Sequence, residues 1–113
     1  MPTGTTTRLL AVVGDPVAHS LSPAMHNAAI RALGLDACYV ALRTTAPAFP
    51  ELVRGMLADG GALNVTAPFK QQAAQLVAQP TDAVRRTGSC NTIWGDPDAP
   101  HGVDRHHLHR RQL

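Results

Sequence analysis

Short apolar runs alternate with segments of helical periodicity along most of this chain, and the alternation restricts the possible folds more than any other feature. The first run, residues 9–13, is uniformly apolar and stops at Gly14-Asp15-Pro16, a pattern typical of a strand buried on both faces. Further strand-like runs occupy residues 38–42, 62–65 and 90–94. Helix-start signals and three- or four-residue apolar spacing cover residues 22–33, 49–57, 66–79 and 81–87. We therefore predict an α/β domain with three layers, in which a largely parallel β-sheet is flanked by helices.

Two local expectations accompany this pattern. A turn is expected at residues 95–98, where Gly-Asp-Pro-Asp follows the last strand-like run. The apolar face of the first helix comprises Met25, Ala28, Ala29, Ala32 and Leu33.

The length and composition of the chain allow one domain and exclude several classes of protein. With 113 residues, of which 44% are hydrophobic, the chain is long enough to form a single core. No stretch approaches the ~18 apolar residues of a membrane span. Residues 1–7, which we expect to be disordered, lack the basic start of a signal peptide. Two cysteines do not make a disulfide framework, so we expect a cytoplasmic protein.

The net charge of +2 arises at the C-terminal end of the chain. Residues 105–113 contain three arginines and no acid, whereas residues 1–104 carry seven basic and eight acidic side chains. A nearly neutral body argues against a nucleic-acid partner, because nucleic-acid binding requires basic residues over one face.

Three polar clusters follow or precede the predicted strands, at residues 14–23, 64–70 and 88–92. In open α/β sheets, ligands bind beyond the carboxyl ends of the strands. The clusters supply hydroxyls, the amides of Asn64 and Asn91, and the ammonium group of Lys70. This set of donors and acceptors favours a hydroxyl-rich ligand with one acidic group.

Simpler structural roles remain open for several of these side chains. Ser22 and Thr66 precede prolines at predicted helix starts, so both could be N-caps. Asn91 could be a turn residue, and His19 a hydrogen-bonded structural histidine. Lys70 is different because it is the only lysine in a chain with nine arginines. A lysine can serve as an acid or base where an arginine cannot, which favours a functional role.

Cofactor and metal motifs are not evident. Gly14 lacks partners at the G-x-G-x-x-G spacing, and no Walker motif occurs. Four histidines at 101, 106, 107 and 109 lie far from both cysteines in the sequence, so we predict no zinc site.

The three clusters together resemble one known family. G-D-P-V-A-H-S-L-S-P-A-M-H-N-A-A, N-V-T-A-P-F-K and G-S-C-N-T-I are similar, in order and spacing, to motifs in the substrate-binding N-terminal domain of shikimate dehydrogenases, over residues 8–103. Members of that family reduce 3-dehydroshikimate to shikimate with NADPH in aromatic amino acid biosynthesis. Their first domain binds the substrate, and their second is a Rossmann domain that binds NADP.

The resemblance implies a role for each matching side chain. Ser20 and Ser22 would bind the substrate carboxylate, and Lys70 would be the catalytic lysine beside the reacting C–O group. Asn64, Thr66 and Asn91 would bind ring hydroxyls. The implied partner is a small molecule, shikimate or 3-dehydroshikimate, and we expect this chain not to bind NADP tightly because no Rossmann domain is present.

The resemblance ends at residues 104–113, a divergent His/Arg-rich tail. The family continues with G-x-N-T-D, whose aspartate pairs with the catalytic lysine, but here that position falls on His106 rather than on Asp104. The Rossmann domain and the helix that returns from it to the first domain are also missing. A frameshift after Val103 would explain these departures, since reading the tail one base later can restore a Thr-Asp pair. The alternative is a natural short paralogue with a divergent end.

Three functions are compatible with these features. The chain could be a substrate-binding domain derived from an NADP-dependent oxidoreductase, inactive as a fragment. It could be a standalone, non-catalytic binding module for shikimate- or quinate-like hydroxy acids. It could also be a metal-binding or interaction protein that uses the histidine-rich tail.

The frameshift hypothesis predicts a particular nucleotide sequence around codon 104. Reading the next frame there should give Thr-Asp, and a glycine-rich dinucleotide-binding motif should follow in the same frame downstream. Sequencing this region checks the prediction. A downstream region with no such motif in any frame would favour the binding module.

Overall fold

The computed structural model describes residues 3–104 of the chain. The elements in that range are β1 (Arg8–Gly14), α1 (Ser22–Leu33), β2 (Ala37–Arg43), α2 (Phe49–Ala58), β3 (Ala62–Val65), α3 (Lys70–Leu76), β4 (Gln79–Pro80), α4 (Asp82–Thr87), β5 (Thr92–Asp96) and β6 (Ala99–Val103). No helix among these is long and apolar enough to cross a membrane. The tail predicted over residues 104–113 lies outside the described residues from position 105 onward.

The strands form one six-stranded sheet in the order β2-β1-β3-β5-β6-β4. Strand β1 runs parallel to β2 and β3, and β4 runs parallel to β6, whereas β5 is antiparallel to both β3 and β6. Successive residues of β1 face opposite helical layers: Val13 packs with α2 and α3, and Val12 packs with Ile30 of α1. The predicted three-layer α/β fold with a largely parallel sheet is therefore confirmed.

The sequence did not predict β4 or β6. Strand β6 contains Pro100 and Gly102, residues that are uncommon inside strands, and β4 pairs through only two residues. The turn predicted at residues 95–98 is shorter than expected, because Gly95 and Asp96 continue β5 and pair with Pro100 and Ala99. Strands β5 and β6 therefore form a β-hairpin, where the sequence had predicted only a turn.

The core is much larger on one face of the sheet than on the other. The face covered by α2, α3 and α4 buries fourteen residues, among them Phe49, Leu63 and Ile93. The face covered by α1 buries three: Val12, Ile30 and Tyr39. Most of the hydrophobic stabilisation therefore comes from the first face.

Helix α1 buries little of its apolar stripe. Met25 is 69% exposed and Leu33 is 72% exposed, and the alanines at 28, 29 and 32 are exposed as well. The spacing correctly indicated a helix, but the apolar stripe is not the face that packs on the sheet. Only Ile30 of α1 is buried, so the contact between this helix and the sheet uses a different face from the one the stripe suggested.

The two faces predict different responses to the same substitution. We expect Leu63→Ala to lower the free energy of unfolding by about 2–5 kcal/mol, because Leu63 is 2% exposed and its removal leaves a cavity. The matched change Leu33→Ala should cost less than about 0.5 kcal/mol, since that side chain is already in solvent. Urea denaturation of both variants measures the difference. Equal losses would contradict this description of the core.

Candidate functional site

A cleft of about 440 Å³ lies at the edge of the sheet where β1 and β3 end. All six side chains predicted from the sequence line it: Ser20, Ser22, Asn64, Thr66, Lys70 and Asn91. The remaining lining residues are Val12, Pro16, Val17, His19, Val65 and Thr92. The structure thus brings the three sequence clusters together, while the ligand-binding and catalytic roles assigned to them stay predictions.

The third cluster reaches this edge because β5 runs against its neighbours. Asn91 directly precedes β5, and the amino end of an antiparallel strand lies beside the carboxyl end of β3. Had β5 been parallel, Asn91 would lie at the opposite edge. The Asn91 backbone also joins two strands: its N–H donates to Val103 O over 2.9 Å, and its carbonyl accepts from Val65 N–H over 2.8 Å. Asn91 is therefore a residue of the sheet edge rather than of a turn.

The first two loops are joined by their backbones. Thr66 N–H donates to Val13 O over 2.9 Å, and Asp15 N–H donates to Ala67 O over 3.1 Å. Gly14 makes this approach possible, because a Cβ there would clash with the Thr66 methyl group and lie 2.9 Å from the Ala67 oxygen.

Neither Ser22 nor Thr66 caps a helix through its side chain. The N-cap of α1 is Leu21, and the Ser22 backbone N–H donates to Ser20 Oγ over 3.2 Å. Helix α3 begins at Lys70, later than expected, and Thr66 contributes only its backbone carbonyl to the preceding turn, accepting from Phe69 N–H. The capping alternatives are wrong, and both residues line the cleft instead.

His19 and Lys70 supply the basic groups of the cleft. His19 is exposed, and its ring makes no hydrogen bond within residues 3–104, which argues against a buried structural histidine. Lys70 is half-buried, and its backbone carbonyl accepts from Cys90 N–H over 2.9 Å. This bond fixes the start of α3 beside the third cluster, so the ammonium group extends from an anchored backbone.

Sequence reasoning missed three further residues, which extend the site into the sheet. Tyr39 O–H donates to Asn64 Oδ1 over 2.6 Å, and Asn64 Nδ2 donates to Thr92 Oγ1 over 3.1 Å. At the other end, Asn91 Nδ2 donates to Asp104 Oδ1 over 3.4 Å. Thr92 is part of the third motif, but Tyr39 lies within an apolar strand, and no local pattern connects it to Asn64.

Two buried protons near the cleft are held more tightly than usual. Burial raises the pKa of Tyr39 above its ordinary value, and a hydrogen bond with the Ser22 side chain offsets part of the rise. Burial likewise raises the pKa of the Cys90 thiol, whose side chain is fully enclosed. Both groups are therefore neutral at physiological pH.

No metal centre forms in the part of the chain that the structure describes. Residues 3–104 contain no group of three or more histidine, cysteine or acidic side chains placed to hold an ion. His101 lies in β6 and stacks on Trp94, with ring centroids 5.4 Å apart. The other tail histidines, at 106, 107 and 109, lie outside the described residues.

Comparison with known proteins finds one family repeatedly. A family model described as the shikimate dehydrogenase substrate binding domain matches residues 12–93. The NADP-dependent shikimate dehydrogenase of Synechococcus sp. (strain JA-3-3Ab) is 44% identical over 97 residues, which cover 85% of this chain and 33% of that protein. The enzyme of Methanosarcina mazei is 44% identical over 88 residues, covering 76% and 31%. This chain therefore spans about a third of the length of the curated relatives it matches.

Solved structures give the same result. The Aquifex aeolicus shikimate dehydrogenase superposes with a TM-score of 0.88 and 30% identity, covering 98% of this chain and 42% of that one. The Thermus thermophilus enzyme, solved in complex with shikimate, gives a TM-score of 0.79 and 34% identity, covering 85% and 37%.

The buried tyrosine and thiol predict a loss of stability at alkaline pH. Their usual pKa values are 10.0 and 9.0, and the folded values are higher. Above about pH 9 the unfolded chain releases protons that the folded chain keeps, so the free energy of unfolding should fall as pH rises. Urea unfolding between pH 7 and 11 measures this. Tyr39→Phe and Cys90→Ala should each flatten the decline, and a wild-type stability that rises over this range would contradict the assignment.

Proposed function

This chain belongs to the family of shikimate dehydrogenase substrate-binding domains, and we propose that its cleft binds shikimate or 3-dehydroshikimate. The observation that carries the proposal is that six side chains from three separate motifs line one cleft. Further support comes from the Thermus thermophilus relative, which was solved with shikimate. The cleft contains hydroxyl and amide groups and one ammonium group, which suit a hydroxylated ring with a carboxylate.

In this proposal Ser20 and Ser22 bind the carboxylate. Ser20 Oγ accepts a bond from the Ser22 backbone N–H, so the Ser20 hydroxyl proton remains available to donate to an anion. Since Tyr39 donates its proton to Asn64, Ser22 is the donor in its hydrogen bond with Tyr39. The Ser22 hydroxyl can rotate to donate this proton to the ligand instead. Bonds from hydroxyls to a charged carboxylate contribute roughly 1.5–3 kcal/mol each when shielded from water.

The ring hydroxyls would be bound by Asn64, Thr66 and Asn91, which lie on two adjacent segments of the sheet edge. Lys70 would lie beside the reacting C–O group. An ammonium group in that position stabilises negative charge developing on the oxygen and can transfer the proton.

We propose that residues 3–104 do not bind NADP tightly on their own. The loop between β1 and α1, residues 15–21, contains no glycine, and the missing side chain of Gly14, the last residue of β1, accommodates Thr66 rather than a phosphate. We therefore propose that the 113-residue chain binds substrate without turning it over.

Binding should be weak and dependent on the carboxylate. We expect a dissociation constant in the millimolar range, which corresponds to a binding free energy on the order of −4 kcal/mol, because the cleft is open to water on one side. Titration of the ¹⁵N-labelled chain with shikimate should shift the amide resonances of Ser20, Ser22, Thr66 and Asn91 together. The double variant Ser20→Ala/Ser22→Ala should weaken shikimate binding more than binding of its methyl ester.

Ser89→Ala is the matched control, since Ser89 belongs to the third motif but does not line the cleft. It should leave both affinities unchanged. Equal weakening of acid and ester by the double variant would show that the serines do not bind the carboxylate.

The chain alone should not oxidise shikimate. Purified protein mixed with shikimate and NADP should produce no NADPH, as followed by absorbance. NADPH formation that Lys70→Ala abolishes would refute the proposal that the fragment is inactive.

A further inference from the structure

We propose that Tyr39 and Asp104 are positioning residues for this site. They lie at opposite ends of one chain of hydrogen-bonded side chains, and together they fix which atom, oxygen or nitrogen, the amides of Asn64 and Asn91 present on each side. The consequence for ligand binding rests on the function proposed above, whereas the orientation of the amides does not.

The direction in which the side chains donate along this hydrogen-bonded chain is set at Asp104. This residue is 6% exposed and is the one buried charged side chain among the described residues. An ionised carboxylate accepts hydrogen bonds but cannot donate them. Asn91 therefore turns its Nδ2 toward Asp104 Oδ1, 3.4 Å away, and its Oδ1 toward Thr92.

The same direction continues through Thr92 to Asn64. A hydroxyl has one proton, and the Thr92 proton is donated to Asn91 Oδ1 over 3.3 Å. The Thr92 oxygen is then left to accept from Asn64 Nδ2 over 3.1 Å. Asn64 consequently turns its Oδ1 toward Tyr39, whose hydroxyl donates to it over 2.6 Å.

A single flipped amide would break this arrangement. If Asn64 turned over, Thr92 would have to donate to it and would have no proton for Asn91. If Asn91 turned over as well, its Oδ1 would face the Asp104 carboxylate, placing two acceptors together. The carboxylate thus excludes the reversed chain, although it lies four hydrogen bonds away from Tyr39.

Tyr39 is itself held firmly at its end of the chain. Asn27 of α1 hydrogen-bonds both backbone groups of Tyr39, donating to its carbonyl over 2.7 Å and accepting from its N–H over 2.9 Å. The His26 ring stacks on the tyrosine ring with centroids 4.3 Å apart and planes 15° apart. These contacts hold the ring in the position that places its hydroxyl oxygen 2.6 Å from Asn64 Oδ1. The His-Asn pair of the first motif therefore acts on the site through Tyr39.

The direct test observes the side-chain amides without ligand. In the ¹⁵N-labelled 113-residue protein, Asp104→Asn gives residue 104 a group that can donate as well as accept, which permits the reversed chain. We expect the NH₂ resonances of both Asn91 and Asn64 to shift or double. Asp98→Asn is the matched control, since Asp98 is exposed and pairs with Arg54, and it should move neither amide.

A shift confined to Asn91 in Asp104→Asn would overturn the proposal, because Asp104 would then act only on its neighbour. If that variant does not fold, Thr92 supplies an independent test. Thr92→Val breaks the chain in the middle, and Thr92→Ser retains it. Tyr39→Phe should shift the Asn91 amide in the Thr92→Ser background but not in the Thr92→Val background. Shifts in both backgrounds, or in neither, would overturn it.

Shikimate affinity gives a second measurement. Tyr39→Phe and Thr92→Val should each weaken binding about tenfold, and the double variant should be no weaker than the poorer single one. Losses that multiply to about a hundredfold would mean two independent contacts and would contradict a single chain. If the wild-type protein does not bind shikimate, the proposed function fails, and the ligand-free amide resonances still decide the positioning roles.

Discussion

The close approach of two backbones at Gly14 is the contact on which the site depends. Strand β1 ends there, and the loop after β3 crosses so near that any side chain would collide with Thr66. The two reciprocal hydrogen bonds, from Thr66 to Val13 and from Asp15 to Ala67, hold both loops in one position. Ser20, Ser22 and the Asn64–Lys70 segment share a cleft because residue 14 has no side chain to separate the end of β1 from the loop after β3.

Strand β5, which runs antiparallel to β3, brings the third sequence cluster to the cleft. An antiparallel strand next to β3 places Asn91 and Thr92 beside Asn64, and it also lets β6 return to the same edge with Asp104 at its end. Strands β2 and β3 supply Tyr39 and Asn64, and the reversed strand β5 supplies Thr92, whose side chain joins those of Asn64 and Asn91. Buried polar groups of this kind are stable only when each has a partner, which explains why the amides occur as a connected chain.

The sequence predicted the fold class and the positions of the site residues better than the contacts among them. Motifs with specific spacing pointed to Ser20, Asn64 and Asn91. Convergence at the carboxyl ends of parallel strands accounts for the first two, whereas Asn91 reaches the cleft because β5 is antiparallel to β3. Strand β6 was missed because Pro100 and Gly102 are poor strand formers. Tyr39 was missed for a different reason: its hydrogen bond to Asn64 joins residues 25 positions apart, and an apolar strand gives no sign of it. The exposed apolar stripe of α1 shows a different limit of sequence analysis: periodicity indicates a helix but not which of its faces the sheet covers.

Helix α1 is attached to the sheet by polar as well as apolar contacts, and the polar ones link its position to the site. Among residues 3–104, the buried cluster on that face comprises only Val12, Ile30 and Tyr39. Asn27 hydrogen-bonds both backbone groups of Tyr39 on the edge strand β2. A side-chain amide that hydrogen-bonds the free backbone groups of an edge strand constrains the orientation of the helix as well as its distance from the strand, because hydrogen bonds are directional and apolar packing is not. Ser22 is the first residue of α1 and Ser20 lies two residues before it, so the contact between Asn27 and Tyr39 also helps to hold the serines in place. Two directional hydrogen bonds from Asn27 therefore supplement the small apolar cluster on this face.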